Sequence, residues 1–362
     1  MRRRKQTRTP RPRRLASFEA SRQENGALKT TPVKINWHSG LSIYASEQFL
    51  RTVGDEYGWL GGIDDTGKLR CVLPYTIVRK AMLRMVRFRI ETLPLEGCLS
   101  VEEEKSFLTS VVDYFRSAGA DMIIPASTNT IFRAYPDGAV AAPYGSYVID
   151  LRKDEEPLFN QMSATHRKRT RQATRNGVRI KSGLEQIDRA YDIIKTTLKR
   201  SSMGFIDHGA FRRLIHGLGE NVKLLIAEHE GIAKACTLFP FSTYCAYSLY
   251  GGSIAEDVPG AVHLLNWEAI RLFRNLGVER LDFVGVRRNP EPGSKQEGIM
   301  TFKRRFGGEL KEGYIWKYPL HMLKYRIYAL SAAVLRGGDI VDQEKHKLRP
   351  REVEPFLGRN EG

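Results

Sequence analysis

Residues 281–308, LDFVGVRRNPEPGSKQEGIMTFKRRFGG, constrain this chain more than any other stretch. An apolar run from Leu281 to Val284 meets Gly285, and a polar, proline-containing loop from Arg287 to Glu297 follows. A helical pattern then carries Ile299, Met300, Phe302 and Phe306 on one face and closes at Gly307-Gly308. The spacing predicts strand, glycine turn, loop and helix in that order. Loops after strand ends are where α/β proteins seat ligands. Lys303 would point off the apolar face toward the loop after Phe283, where an ammonium can hold an anion or a developing oxyanion. A solvated surface lysine is the plain alternative.

Periodicity organises the rest. Residues 42–53 read as an amphipathic helix, and 57–63, 69–78 and 85–93 as strands. A helix is predicted over 102–118, with acids in its first turn and Gly119 after its end. Strands at 121–125 and 146–151 follow. The second half repeats the order: strand 178–181, helices 186–200 and 208–218, a meander over 224–229, 232–241 and 243–250, helix 262–276, and strand 280–283. Tyr114-Phe115-Arg116-Ser117-Ala118-Gly119 aligns without gaps on Leu272-Phe273-Arg274-Asn275-Leu276-Gly277, each before an apolar strand. Either a module is duplicated or two amphipathic helix ends resemble each other by chance. Residues 1–31, rich in Arg, Thr and Pro, are expected to be a disordered basic tail, and 337–362 a loose polar tail after a helix over 321–335.

The formal net charge is +17, and residues 1–14 alone hold eight Lys or Arg and no acid. The remainder is still basic, which favours anionic partners: phosphate-rich substrates, RNA or acidic lipid headgroups. No apolar run approaches the roughly 18 residues of a spanning helix. The basic N-terminus lacks the apolar stretch of a secretory signal, so the expected location is the cytoplasm, with peripheral contact at the inner membrane face. Cys71, Cys98, Cys236 and Cys245 form no CxxC pair, and His166, His208 and His263 are scattered, so no metal site is expected. Cys236 and Cys245 lie in apolar runs and read as buried thiols.

Three segments carry a resemblance: Leu281-Asp282-Phe283-Val284-Gly285 with Phe302-Lys303-Arg304-Arg305-Phe306-Gly307-Gly308-Glu309; the basic run Thr165 to Ala173; and Tyr250-Gly251-Gly252, a strand end before the helix from Pro259. They resemble the Fem-type (FemABX) aminoacyltransferases of the peptidoglycan bridge, well over roughly residues 150–320 and loosely over 33–150. The resemblance implies an α+β fold of two tandem GNAT-like domains without a coiled-coil arm. The expected division is 32–150 for the first domain, 151–320 for the second, and 321–362 for a terminal helix and tail. It also implies an enzyme moving an amino acid from aminoacyl-tRNA to an amine of a lipid- or UDP-linked peptidoglycan precursor, with no cofactor beyond that co-substrate. Lys303 would be catalytic, and Phe302, Arg167, Arg171, Arg200, Tyr250, Gly251 and Asp282 would meet substrate.

Each residue also has a plainer reading. Arg167, Arg171 and Arg175 recur at i, i+4 and i+8, where like charges repel and an anion would offset the cost, yet a charge run is commonly a solvated face. Phe302 suits a core, Tyr250 a strand edge, and Asp282 a buried pair with an arginine. Two other functions fit the same chain. An acyl-CoA-dependent N-acyltransferase acting on an exopolysaccharide or other envelope precursor would share the fold, although no Arg/Gln-x-x-Gly-x-Gly/Ala pyrophosphate loop is found. A non-catalytic RNA- or membrane-binding protein would share the charge.

Overall fold

The computed structural model describes residues 26–200, 204–254 and 258–345. In chain order the first part runs β1 (Lys29–Val33), α1 (Glu47–Val53), β2 (Glu56–Ile63), β3 (Leu69–Lys80), β4 (Leu83–Phe88), β5 (Leu93–Pro94), α2 (Val101–Ser117), β6 (Met122–Ile123) and β7 (Val140–Asp150). Then come α3 (Glu155–Gln161), α4 (Ala164–Arg175), β8 (Arg179–Ser182), α5 (Ile187–Lys199), α6 (His208–Leu218), β9 (Val222–His229) and β10 (Ile232–Pro240). The last part holds β11 (Ala246–Tyr247), β12 (Tyr250–Ser253), α7 (Ala261–Asn275), β13 (Arg280–Asp282), β14 (Val286–Arg287), α8 (Lys295–Arg304), β15 (Glu309–Pro319), α9 (Met322–Arg336) and α10 (Ile340–Lys345).

One large sheet has the order β1-β2-β3-β4-β6-β15-β7-β13-β11, with β5 beside β3 and β14 beside β7; a second follows β12-β10-β9-β8. Two helices are read from the same rules at both ends. Ser100 and Glu103 form a capping box that starts α2, which buries Phe107, Leu108, Val111 and Phe115. Helix α7 buries Leu264, Leu265, Ile270 and Phe273. Gly119 and Gly277 follow them at φ 70 and 72, the left-handed stop that glycine takes without strain.

The strand after each helix takes an equivalent place. β6 runs parallel to β4 and antiparallel to β15; β13 runs parallel to β11 and antiparallel to β7. The internal echo in the sequence thus corresponds to two like units. Their last strands are exchanged: β7 leaves the first unit to pair with β13, and β15 leaves the second to pair with β6. β7 and β15 lie side by side from Val148–Glu309 to Val140–Lys317, so the sheet is continuous through its middle.

Several expectations are corrected. Lys29–Val33 is a strand on β2, so the expected tail does not reach residue 31; residues 1–25 lie outside the described residues. Ile340–Lys345 is a helix that buries Val341, so the region after 337 is not loose throughout; residues 346–362 lie outside the description. The helix expected over 42–53 is broken because Ser46 caps α1, its hydroxyl accepting from Phe49 N–H at 3.2 Å. The strand expected over 85–93 ends at Phe88. The strand expected over 243–250 divides between sheets, β11 joining the large one and β12 the small one, so Tyr250 begins a strand rather than ending one.

Candidate functional site

The site is built where β13 ends. Asp282 is 3% exposed and receives two hydrogen bonds on one oxygen, from the Ser146 hydroxyl on β7 and from Val284 N–H at 2.7 Å. Burial raises its pKa, and the Lys311 ammonium works the other way. The expected arginine partner is replaced by Ser146 of β7, the strand that pairs with β13; Arg280, on the same face of β13, stacks over Tyr244 at 4.5 Å instead.

The Asp282 bond pulls Val284 into the left-handed region at φ 42, and Gly285 follows at φ 50. For a β-branched residue this conformation costs on the order of 1–2 kcal/mol or more. Gly285 N–H is fixed on Thr128 O at 3.1 Å, which holds the turn from the other side. The result is a pair of carbonyls, Val284 O and Gly285 O, aimed at one point.

Lys303 occupies that point. α8 starts at Ser294, whose hydroxyl accepts from Glu297 N–H at 3.2 Å, and places Lys303 in its last turn. The ammonium donates to Val284 O, and to Gly285 O at 2.9 Å. An ammonium has three N–H donors, so one remains for a further acceptor. Burial pushes its pKa down to about 8, opposed by the Asp282 charge.

Phe302 and Phe306 face an aromatic cluster that sequence spacing did not show. Phe306 is fully buried, 5.2 Å from Phe302 and 5.2 Å from Phe283. His166 of α4 and His263 of α7 meet there, ring centroids 4.5 Å apart, which corrects the picture of scattered histidines. His166 Nε2 lies 3.0 Å from Phe302 O. Burial lowers the pKa of both and takes His263 to about 4, so both are neutral at pH 7. Among the described residues no group of three or more His, Cys, Asp or Glu is arranged to hold a metal. A recess of about 430 Å³ opens over this cluster, bordered by Thr165, Arg169, Phe302 and Arg305. A second, of about 870 Å³, continues from Thr165 and Arg169 along α4 to Lys168, Gln172 and Arg175.

The basic helix therefore offers a different face from the expected stripe. His166, Thr170 and Ala173 point inward. Arg167 donates to Asn160 O at 2.7 Å and to Met162 O, satisfying carbonyls at the end of α3, and Arg171 stacks over Phe159 at 5.0 Å. Lys168, Arg169 and Arg175 line the recess instead. Helix α7 forces this choice. Gly260, at φ 93 before α7, lies so close that a Cβ would stand 2.2 Å from Arg169 O.

The other named residues are apart from this point. Arg200 donates to Thr197 Oγ1 at 3.1 Å and to Ser253 O, tying α5 to β12. Tyr250 packs edge-on against Phe205 at 5.1 Å, in the same apolar cluster as Val284. Gly251 sits over Thr237. A third recess, about 380 Å³, lies on the Asp282 side and is bordered by Glu91, Tyr247, Arg280 and Lys311. Lys311 pairs there with Glu91, which holds its ammonium charged in spite of burial. Sequence reading missed this pair; the signal was a lysine at an inward position of a strand, Lys311 in ELKEGYIW.

By fold the molecule is an α+β protein built of two like units that share one large sheet. The crystal structure of FemX superposes with a TM-score of 0.58 at 15% identity, covering 80% of this chain and 93% of that one. Residues 138–232 match the FemAB family. A lipid II:glycine glycyltransferase of Staphylococcus haemolyticus (strain JCSC1435) is 32% identical over 108 residues, which are 27% of this chain and 25% of that protein. One from Staphylococcus epidermidis (strain ATCC 12228) is 29% identical over 109 residues, 28% and 26% of the two chains. The match spans about a quarter of the length of these curated relatives. The family match and the relatives make this chain similar to Fem-type proteins over about a quarter of its length, and the FemX superposition extends the likeness in fold.

Proposed function

We propose that this chain is a non-ribosomal aminoacyltransferase, with residues 32–150 and 151–320 as its two units, that moves an amino acid from aminoacyl-tRNA to an amine of a peptidoglycan precursor. The observation that carries the reading is the Lys303 ammonium seated on the turned-out carbonyls of Val284 and Gly285 near the buried Asp282. The family match and the relatives named lipid II:glycine glycyltransferases support an amino acid as the group transferred and a lipid-linked precursor as acceptor.

The acceptor amine attacks the ester carbonyl carbon and a C–N bond forms. The carbonyl oxygen takes up negative charge, and the remaining N–H of Lys303 is suited to receive it. Collapse breaks the bond to the 3′ oxygen of the tRNA, which leaves with the proton lost by the amine. The ester supplies the driving force, so no nucleotide is hydrolysed. Asp282 acts as a positioning residue: it holds the Val284 turn on which Lys303 rests. Lys168, Arg169 and Arg175 would meet phosphates of the tRNA acceptor end. The reaction would take place in the cytoplasm, at the inner face of the membrane when the acceptor is lipid-linked.

The test incubates the purified protein with charged tRNA and with UDP- or lipid-linked precursors, and reads the precursor by mass spectrometry. A gain of one aminoacyl residue, matched by deacylated tRNA, is expected. A gain seen only with acyl-CoA as donor would overturn the reading in favour of an acyl-CoA-dependent N-acyltransferase.

A further inference from the structure

One helix face is uncovered. α9 turns Leu323, Ile327, Leu330 and Val334 outward, 67, 68, 68 and 77% exposed. At about 100° per residue these four fall in one narrow stripe. Met82, in the turn between β3 and β4, is 86% exposed, and the Lys324 ammonium reaches its carbonyl at 3.5 Å, which sets that turn beside the helix.

The helix is held in this orientation. Tyr325 and Tyr328 pack inward on Met85, Met122 and Ile124, and Lys324 bonds Asp121 Oδ1 at 2.8 Å. His321 N–H donates to Asp121 O at 2.8 Å, which fixes the start. Scattered exposed leucines are ordinary, but a contiguous row of large aliphatics on a fixed helix marks a contact surface.

The charge around the row says what covers it. Lys80 adjoins the Met82 turn and Arg326 flanks the stripe, both exposed, and α9 contains no acid. Two copies of this face would bring cation toward cation. A layer of anionic headgroups over acyl chains matches both the apolar row and its border. No helix of the described residues is long and apolar enough to cross a membrane, so such contact would lie in the plane of the surface.

We propose that α9 and the Met82 turn form an in-plane docking surface for an anionic lipid bilayer. The inference rests on the aminoacyltransferase reading only in that a lipid-linked acceptor would be met at this surface.

The full chain is sedimented with phosphatidylcholine vesicles with and without phosphatidylglycerol at moderate salt, and each variant is compared with a wild type that carries the same basic N-terminal residues. Wild type is expected to bind the anionic vesicles, and Ile327→Gln with Leu330→Gln to lower partitioning by about tenfold or more. Lys80→Gln with Arg326→Gln should weaken binding to anionic vesicles only. Binding by the aliphatic double variant equal to wild type, or no vesicle binding by wild type, would overturn the proposal. A wild-type dimer that the same variant splits, without vesicle binding, would assign the face to a second copy instead. Transfer to a soluble UDP-linked precursor should be unchanged in the variant. Vesicle binding without any aminoacyl transfer would sink the enzyme reading and leave the docking surface standing.

Discussion

Lys303 is a cation that the fold makes expensive to keep charged. Its pKa is down to about 8 because α8 buries it against two carbonyls and only the Asp282 charge is near. On the proposed mechanism Lys303→Ala is expected to lower kcat by on the order of 10²-fold or more in a chain that still folds, at some loss of melting temperature because the Val284 and Gly285 carbonyls lose their donor. Because the ammonium is lost as pH rises through about 8, wild-type kcat should fall above that value, and the limb should be missing from the residual activity of the variant. Stopped-assay pH profiles of both proteins check this. Wild-type turnover in the alanine variant would remove Lys303 from the mechanism. Asp282 was legible in the sequence as a charge among apolar neighbours, whereas Lys303, followed by Arg304 and Arg305, stood out only through the resemblance carried by Phe302-Lys303 and Phe306-Gly307-Gly308. The left-handed turn at Val284 was not legible, since nothing local asks a valine to adopt it; the demand comes from Asp282, Thr128 and Lys303 together. The Lys311–Glu91 pair was hidden for a similar reason, its members being 220 residues apart.

At the scale of elements, α4 shows what a charge pattern can and cannot reveal. Its basic character was plain, but the working face depends on α7 pressing against Arg169 O and on α3 presenting carbonyls to Arg167. Lys168→Gln and Arg175→Gln should each reduce the salt dependence of tRNA binding by about 0.7–1 in log–log slope, whereas Arg171→Gln should leave the slope unchanged. Filter binding across a salt series distinguishes the faces. The junction of α4, α7 and α8 also carries a pH signature. His263 stays neutral in the folded state until about pH 4, while in the unfolded chain it titrates near its ordinary value of about 6.5. Between those values the unfolded state binds more protons, so stability falls as pH falls through that window. His263→Phe should flatten the acid side of a melting-temperature profile between about pH 6.5 and 4. A profile identical to wild type would exclude His263 as a source of the acid loss.

At the scale of the whole molecule, the two halves are joined by exchange of their final strands. The tandem organisation was readable from the repeated helix ends at Gly119 and Gly277. The exchange was not, because β15 does not alternate as an ordinary strand does. Its inward positions include Lys311, paired with Glu91, and Lys317, 1% exposed and bonded to Asp339 and Asp342. Gly313 lies in the middle of this strand, where a Cβ would stand 2.2 Å from Phe132 O. The reciprocal bonds between Phe132 and Tyr314, 3.0 and 2.7 Å, require that approach. Gly313→Ala should cost about 2 kcal/mol or more of stability, and urea unfolding should remain a single transition because both units share the damaged strand. Separate transitions would mean that the two units are held independently of β15.

The place of β15 has a consequence for synthesis. The strand that fills the centre of the sheet is among the later ones to leave the ribosome. Until it arrives, the nascent chain carries β6 and β7 with their facing edges open and their apolar sides unsupported. A ribosome stalled before residue 319 would therefore hold a product prone to sticking to its neighbours.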